Sequence, residues 1–281
     1  MVPNSKACDP VVFYKMSGHG NDFIVIDGKG VKKGTDWREY APRWCARRTS
    51  VGADGLLIIE QSERADFRLR IFNSDGSEAE MCGNGARCAA RFAEAGGIAG
   101  PRMTFETSAG IIGASTEGDM VSINLTEPKV VNNDVLLNID GRELHVSLID
   151  SGVPHSIVFR GNVMELPAGE ILAMGRFIRN HPFFDPEGTN VDFVEVMGHS
   201  LIRVRTYERG VESETLACGT GAVASALASH LYRGAGDSPI AVQMPGGVLT
   251  VEFEKEGETV KKVWLKGEVH WIYKGEITQW S

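Results

Sequence analysis

No run of apolar residues in this chain approaches the roughly 20 that a helix needs to cross a bilayer. The first ten residues, MVPNSKACDP, carry one lysine and no apolar core, matching neither a secretory nor a transit peptide, and a cytoplasmic protein is expected. Basic residues are outnumbered, 29 Lys and Arg against 37 Asp and Glu for a net charge of -8, and they do not cluster. The patch that nucleic acid or an anionic membrane surface would require is therefore missing, and a small molecule is the expected partner. Cysteine is sparse: five residues, at 8, 45, 82, 88 and 218, an odd number at irregular spacings, do not make a disulfide framework, so reduced thiols are expected. Neither a CxxC nor an HxxH pair occurs, and no metal site is expected. Low-complexity segments and long linkers are also lacking.

What remains is globular. With 281 residues, 42% hydrophobic and 23% charged, the chain can form two domains of ordinary size, each burying its own core. Strand-like runs dominate both halves. In the first, Val12 to Met16, Phe23 to Asp27, Gly55 to Ile59 and Phe67 to Phe72 stand out, the last with clean period-2 alternation. In the second, Ser156 to Phe159, Val191 to Val194, Leu201 to Arg205 and Val248 to Glu252 repeat the texture. Each half has one long helical segment. The first runs from Gly85 to Glu94 and stops at Gly96-Gly97; the second starts at Ala222 and stops near Gly234. The second is apolar or small on nearly every face, which predicts a helix wrapped by a sheet.

Both helices begin just after a similar word. FNSDGSEAEMCGNGA, Phe72 to Ala86, and YERGVESETLACGTGA, Tyr207 to Ala222, run aromatic, polar, glycine, acidic, then Cys-Gly-x-Gly-Ala. A duplicated plan explains the echo. We place the boundary near Glu127-Pro128, where the proline and the polar Asn132-Asn133-Asp134 break the strand pattern. This gives domains 1-127 and 128-268, with the last strand, about 269-281, returning to the first.

A cysteine at the entry of a helix sits at the positive end of the helix dipole, which lowers its thiol pKa. The glycines after it let backbone N–H groups approach and hold a carboxylate or phosphate. Two such thiols acting on one ligand from opposite sides suit stereoinversion, one removing a Cα proton and the other returning a proton to the opposite face. Cys82 and Cys218 carry this expectation. Cys8, Cys45 and Cys88 are read as buried, inert thiols. A dinucleotide fingerprint is ruled out because Cys88 stands where its third glycine would be, and no Gly-Lys-Ser/Thr follows.

These words resemble the diaminopimelate epimerases. The likeness is carried by MSGHGNDFIVID, FNSDGSEAEMCGNGARC, VPHSIVF, GTNVDFVEV and YERGVESETLACGTGA, and it spans about residues 11 to 276. It implies a mixed α/β fold of two similar domains, each a sheet rolled around a central helix, with the active site in the cleft between them. It implies Cys82 and Cys218 as the catalytic acid/base pair, Cys82 acting on the L,L substrate and Cys218 in reverse. Gly83, Asn84, Gly219 and Thr220 would hold the carboxylate of the reacting centre. Asn21, Asn73, Asn190, Glu208 and Arg209 would hold the substrate, the last four at its distal end, where arginine can grip a carboxylate and Glu208 can pair with an ammonium. His155 and Glu208 would tune the thiols. No cofactor and no metal are implied, and a homodimer is, through Trp271-Ile272-Tyr273.

Without the likeness, His155 would be a strand-end histidine, Asn21 a turn residue and Glu208-Arg209 a solvated pair. His19, His181 and Asp54 are taken as structural. The chain has Val153 where many members have Asn, Gly55 where some have Gln, and one residue more than the commonest spacing from Glu208 to Cys218. Epimerisation or racemisation of another amino acid is the nearest alternative. A thiol redox protein using Cys82 with Cys88 or Cys218, and a non-catalytic carboxylate binder, are the alternatives from other classes.

Overall fold

The computed structural model describes residues 10–278 apart from 33, 140, 257 and 258. Cys8 lies outside the described residues. The chain divides into two compact units, the first running to Ile123 and resuming at Glu268, the second Asn124–Gly267.

The first unit contains β1 (Val11–Gly18), β2 (Asn21–Asp27), α1 (Trp37–Trp44), β3 (Gly55–Glu60), β4 (Phe67–Asn73), β5 (Glu78–Ala79), α2 (Gly83–Ala95), β6 (Arg102–Thr107), β7 (Gly110–Glu117) and β8 (Met120–Asn124). The second contains β9 (Lys129–Ile139), β10 (Arg142–Asp150), β11 (Pro154–Phe159), α3 (Ala168–Arg179), β12 (Asn190–Val196), β13 (Leu201–Glu208), β14 (Ser213–Thr215), α4 (Gly219–Tyr232), β15 (Ile240–Met244), β16 (Gly247–Glu256) and β17 (Thr259–Glu268). The last strand, β18 (His270–Ile277), returns to the first unit and pairs antiparallel with β1.

One plan serves both units. In the first, the order β18-β1-β2-β3-β4-β6-β7-β8 alternates antiparallel pairs with two parallel ones, β2 on β3 and β4 on β6. In the second, β9-β10-β11-β12-β13-β15-β16-β17 has its parallel pairs at the same places, β11 on β12 and β13 on β15. The short β5 and β14 lie against β4 and β13, each just ahead of its Cys-Gly-x-Gly.

The central strands of each sheet are covered on both faces, which explains their unbroken apolar runs. Phe23 to Ile26 of β2 are all buried. Ile24 and Ile26 pack with Trp37, Ala41 and Trp44 of α1, while the alternate residue Phe23 lies on the α2 side, beside Gly85. In the second unit Val158, Val191, Phe193 and Tyr207 pack with Ile171 and Ile178 of α3. The other helix of each unit is central: α2 touches β1, β2, β3, β4 and β7, and α4 touches β10, β11, β12, β13, β15 and β16. Helix α4 is buried without a break from Gly221 to Ser229, the wrapped helix that its all-round apolar pattern predicts. Each such Val, Leu or Phe contributes about 1.5–3 kcal/mol by leaving water. Among the described residues no helix is long and apolar enough to cross a membrane.

One sequence expectation is corrected. Asn132-Asn133-Asp134 do not interrupt strand structure; they lie within β9, whose first six residues are exposed, paired to β10 through a ladder with register shifts at Val146/Leu148 and Leu148/Ile149. Exposed strand positions tolerate polar side chains, and bulges absorb the irregularity. Period and polarity alone did not reveal that.

Candidate active site

In the first unit Cys82 is the N-cap residue of α2, with extended backbone (φ -144°, ψ 115°) and its sulfur accepting from the Gly85 N–H at 3.5 Å. It is half-buried. Asn84, one residue into the helix, is buried and held at both ends of its amide. Its Nδ2 donates to Asn21 Oδ1 at 2.7 Å, and its Oδ1 accepts from Arg87 Nη2 at 2.6 Å. Asn21 Nδ2 in turn donates to Asp54 Oδ2 at 3.0 Å, which also accepts from the Asp22 backbone N–H. Asp54, taken from sequence as structural, thus fixes a residue implied to bind substrate.

Arg47 ties this corner down, bonding Asp54 Oδ1 at 2.7 Å and Asp22 Oδ1 at 2.5 Å, and Lys15 bonds Asp22 Oδ2 at 2.6 Å. Burial raises the Asp22 carboxyl, but the bonds from Arg47 and Lys15 outweigh it and hold the group at about 2. Asn73 stands apart: it is exposed, and its amide donates to Ser77 Oγ at 2.9 Å. Gly55 faces Asn73 across the β3–β4 ladder, and a Cβ there would lie 2.8 Å from the Phe72 carbonyl oxygen. The glutamine that some family members carry has no room here without a backbone shift.

In the second unit Cys218 caps α4 in the same way (φ -121°, ψ 116°), its sulfur accepting from the Gly221 N–H at 3.4 Å. A polar line leads away from it. Cys218 Sγ lies 3.4 Å from Thr220 Oγ1, Thr220 Oγ1 lies 3.0 Å from His155 Nε2, and His155 Nδ1 lies 2.6 Å from Asp192 Oδ2. Asp192 Oδ1 accepts from Thr206 Oγ1 at 2.6 Å, its cross-strand neighbour on β13. A carboxylate only accepts, so in the neutral imidazole the His155 proton sits on Nδ1 and the Nε2 lone pair faces the Thr220 hydroxyl. The hydroxyl can then accept from the Cys218 thiol. Both His155 and Asp192 side chains are wholly buried. The Asp192 carboxylate occupies the space where a side chain at 221 would go, since a Cβ on Gly221 would lie 2.5 Å from Oδ1. Only glycine lets α4 bring its positive end this close to the anion.

The other predicted residues flank this line. Asn190 Oδ1 accepts from the Arg209 backbone N–H at 2.8 Å and its Nδ2 donates to the Pro154 carbonyl at 3.2 Å. Arg209 Nη1 donates to the Glu187 carbonyl at 3.2 Å. Glu208, at the end of β13, is half-buried, and burial raises its carboxyl above the ordinary value. Gly219 opens α4, packed under Leu265.

The electrostatics correct a second expectation. Burial pushes the Cys218 thiol well above its ordinary value, and the negative charges of Glu208 and Asp192 push it further. The Thr220 side chain and the Gly221 N–H pull the other way without prevailing. The helix end alone predicts a thiolate; the surrounding carboxylates and the loss of water win. In ligand-free, reduced protein at pH 8, Cys218 should therefore react with iodoacetamide at least about tenfold more slowly than an ordinary thiol. Peptide mass mapping of a time course measures this, and reaction at the ordinary rate would contradict it.

Among the described residues no group of three His, Cys, Asp or Glu side chains is placed to hold a metal ion. Cys45 and Cys88 are buried free thiols, raised by burial to about 11 and about 12.

The diaminopimelate epimerase family model matches residues 13–131 and 147–272. The chain belongs to the diaminopimelate epimerase family. It is 43% identical over 279 residues to the diaminopimelate epimerase of Aquifex aeolicus (strain VF5), covering 95% of this chain and 98% of that protein. It is 41% identical over 285 residues to that of Caldanaerobacter subterraneus subsp. tengcongensis, covering 94% and 98%. Among solved structures, a phenazine biosynthesis protein of the PhzF family from Bacillus anthracis superposes with a TM-score of 0.75 over 97% of this chain and 100% of its own, at 16% identity, which shows a shared fold. Like the other diaminopimelate epimerases, the chain is an isomerase.

Residue-by-residue reading missed several contributors. Asp192, Thr206, Ser151, whose Oγ donates to the Thr220 carbonyl at 2.9 Å, and Arg87 were not singled out. One signal was available: Asp192 is a lone carboxylate in the apolar run Val191-Asp-Phe-Val194, and a charge in a strand buried on both faces needs a partner. His181 is local, its Nδ1 accepting from the Phe183 N–H at 3.2 Å.

Proposed function

We propose that this chain interconverts L,L- and meso-2,6-diaminopimelate by two-cysteine acid/base chemistry, serving lysine and peptidoglycan precursor synthesis. The observation that carries this reading is that a cysteine caps a central helix in both units, at corresponding points of one repeated plan. In the L,L-to-meso direction Cys82, the more exposed thiol, acts as thiolate and removes the Cα proton. Cys218, kept protonated by burial and by Glu208 and Asp192, delivers a proton to the opposite face. The reverse direction exchanges the roles, and Thr220, His155 and Asp192 then draw the proton from Cys218. Negative charge that develops on the substrate carboxylate is taken by the first N–H groups of the helices, at Gly83-Asn84 and Gly219-Thr220.

Asn21, Asn73, Asn190, Glu208 and Arg209 hold the rest of the substrate, and the chemistry calls on no cofactor. The protein acts in the cytoplasm and as a homodimer, the latter reading supported by the exposed apolar side chains of Trp271, Ile272 and Tyr273 on β18. A redox role for Cys82 with Cys88 is disfavoured by the complete burial of Cys88.

Incubating reduced protein with L,L-diaminopimelate alone and resolving the stereoisomers by chiral chromatography tests the reading. Accumulation of the meso isomer is expected. Conversion of proline or hydroxyproline in place of diaminopimelate would overturn the substrate assignment.

A further inference from the structure

Arg87 has no part in the chemistry above, yet it is among the largest wholly buried side chains of the described residues. It lies on α2, five residues beyond the N-cap Cys82. Its Nη2 donates to Asn84 Oδ1 at 2.6 Å and approaches His19 Nδ1 at 3.2 Å, while Nε and Nη1 have no hydrogen-bond partner among the described residues. Burial lowers the guanidinium to about 10, so it remains a cation at neutral pH. Enclosing an uncompensated cation costs several kcal/mol, which calls for a counter-charge.

The neighbouring charges narrow the choice. Lys15, Asp22, Arg47 and Asp54 neutralise one another at the far end of Asn21, and Arg91 pairs with Glu94 and Asp119. Among the described residues, the groups whose negative charge would favour the Arg87 cation are Cys88 and Cys82. Cys88 is pushed up to about 12 and stays a thiol. That leaves Cys82.

Arg87 also decides which way two amides face. It can only donate, and Asp54 can only accept. In the line Asp54–Asn21–Asn84–Arg87 each amide must therefore turn its oxygen toward the arginine end and its NH2 toward the carboxylate end.

We propose that Arg87 is the positioning residue of the Cys82 half-site, a buried cation that holds Cys82 as its thiolate and sets the orientation of the Asn84 and Asn21 amides. The proposal rests on the reading of Cys82 as the base for the L,L substrate. The rate of Cys82 alkylation by iodoacetamide against pH, followed by peptide mass mapping, tests it in wild-type protein, Arg87→Lys and Arg87→Met. Wild-type Cys82 is expected to titrate below the ordinary thiol value of about 8.5. Arg87→Met should raise that value by about one unit, slowing alkylation at pH 7 by up to about tenfold, and Arg87→Lys should restore it.

A wild-type value at or above 8.5 overturns the proposal, and this arm needs no variant to fold. So does an unchanged profile in an Arg87→Met protein whose Cys45 and Cys88 stay protected, the mark of an intact fold. Failure of the epimerase reading looks different: no stereoisomer conversion by wild-type protein, with the alkylation profiles as expected.

Discussion

Cys82→Ala and Cys218→Ala should each reduce net inversion of diaminopimelate by about 10³-fold or more, because in the proposed mechanism each removes one of two proton carriers and leaves the other with no partner. The two variants should differ in a second readout. In Cys218→Ala the Cys82 thiolate can still remove and return a proton on one face, so deuterium should enter the recovered L,L isomer without inversion. In Cys82→Ala that exchange should vanish too. NMR of the recovered substrate in D2O separates them. Loss of a helix cap costs about 1 kcal/mol, too little to unfold the domain, and unchanged thermal unfolding would show that the effect is chemical. Inversion surviving in either variant would mean that one thiol suffices.

The second large effect is expected at Asp192, which no reading of the family motifs singled out. Asp192→Asn keeps the shape but can place an N–H where the carboxylate accepted from His155 Nδ1. The imidazole would then carry its proton on Nε2, facing Thr220 with a donor where it had an acceptor. Turnover should fall by about 10²-fold or more in both directions, since the overall equilibrium fixes the ratio of the two kcat/KM values. Cys218 should move the opposite way. Asp192 is one of the charges that raise its thiol, so removing that charge lowers the thiol pKa and speeds alkylation at pH 8. Slower turnover with a more reactive thiol is a pairing that simple unfolding cannot mimic at Cys218 while Cys45 and Cys88 stay protected. Unchanged turnover in Asp192→Asn would remove His155 from the mechanism.

Much of this was legible in the residues. The alternation of β4, the unbroken apolar run of β2 and the all-round apolar face of α4 each reflect which faces are covered, and burial of that kind leaves a periodic trace. The two Cys-Gly-x-Gly words mark helix starts because a cap needs an acceptor side chain and the turn after it needs small residues. What stayed hidden depends on residues far apart in the chain. Asp192 meets His155 only because β11 and β12 pair in parallel, and Thr206 only because β13 pairs with β12. Arg87 reads as an ordinary helix arginine until a sheet closes over it. The Cys218 thiol is set by burial first and then by Glu208 and Asp192, so no rule about helix ends could supply its direction. Asn132 to Asp134 looked like a break in the strand pattern because polarity in a strand is uninformative where the strand is exposed.

Inversion of L,L-diaminopimelate in D2O, stopped at low conversion and read by proton NMR and mass spectrometry, tests the two-thiol account most directly. With separate carriers on the two faces, the proton removed by Cys82 is not the one delivered by Cys218. The first meso product should therefore contain one deuterium at the inverted Cα, while unreacted L,L substrate keeps its protium. Early meso product that retains the original proton would show a single base acting on both faces and would contradict the account.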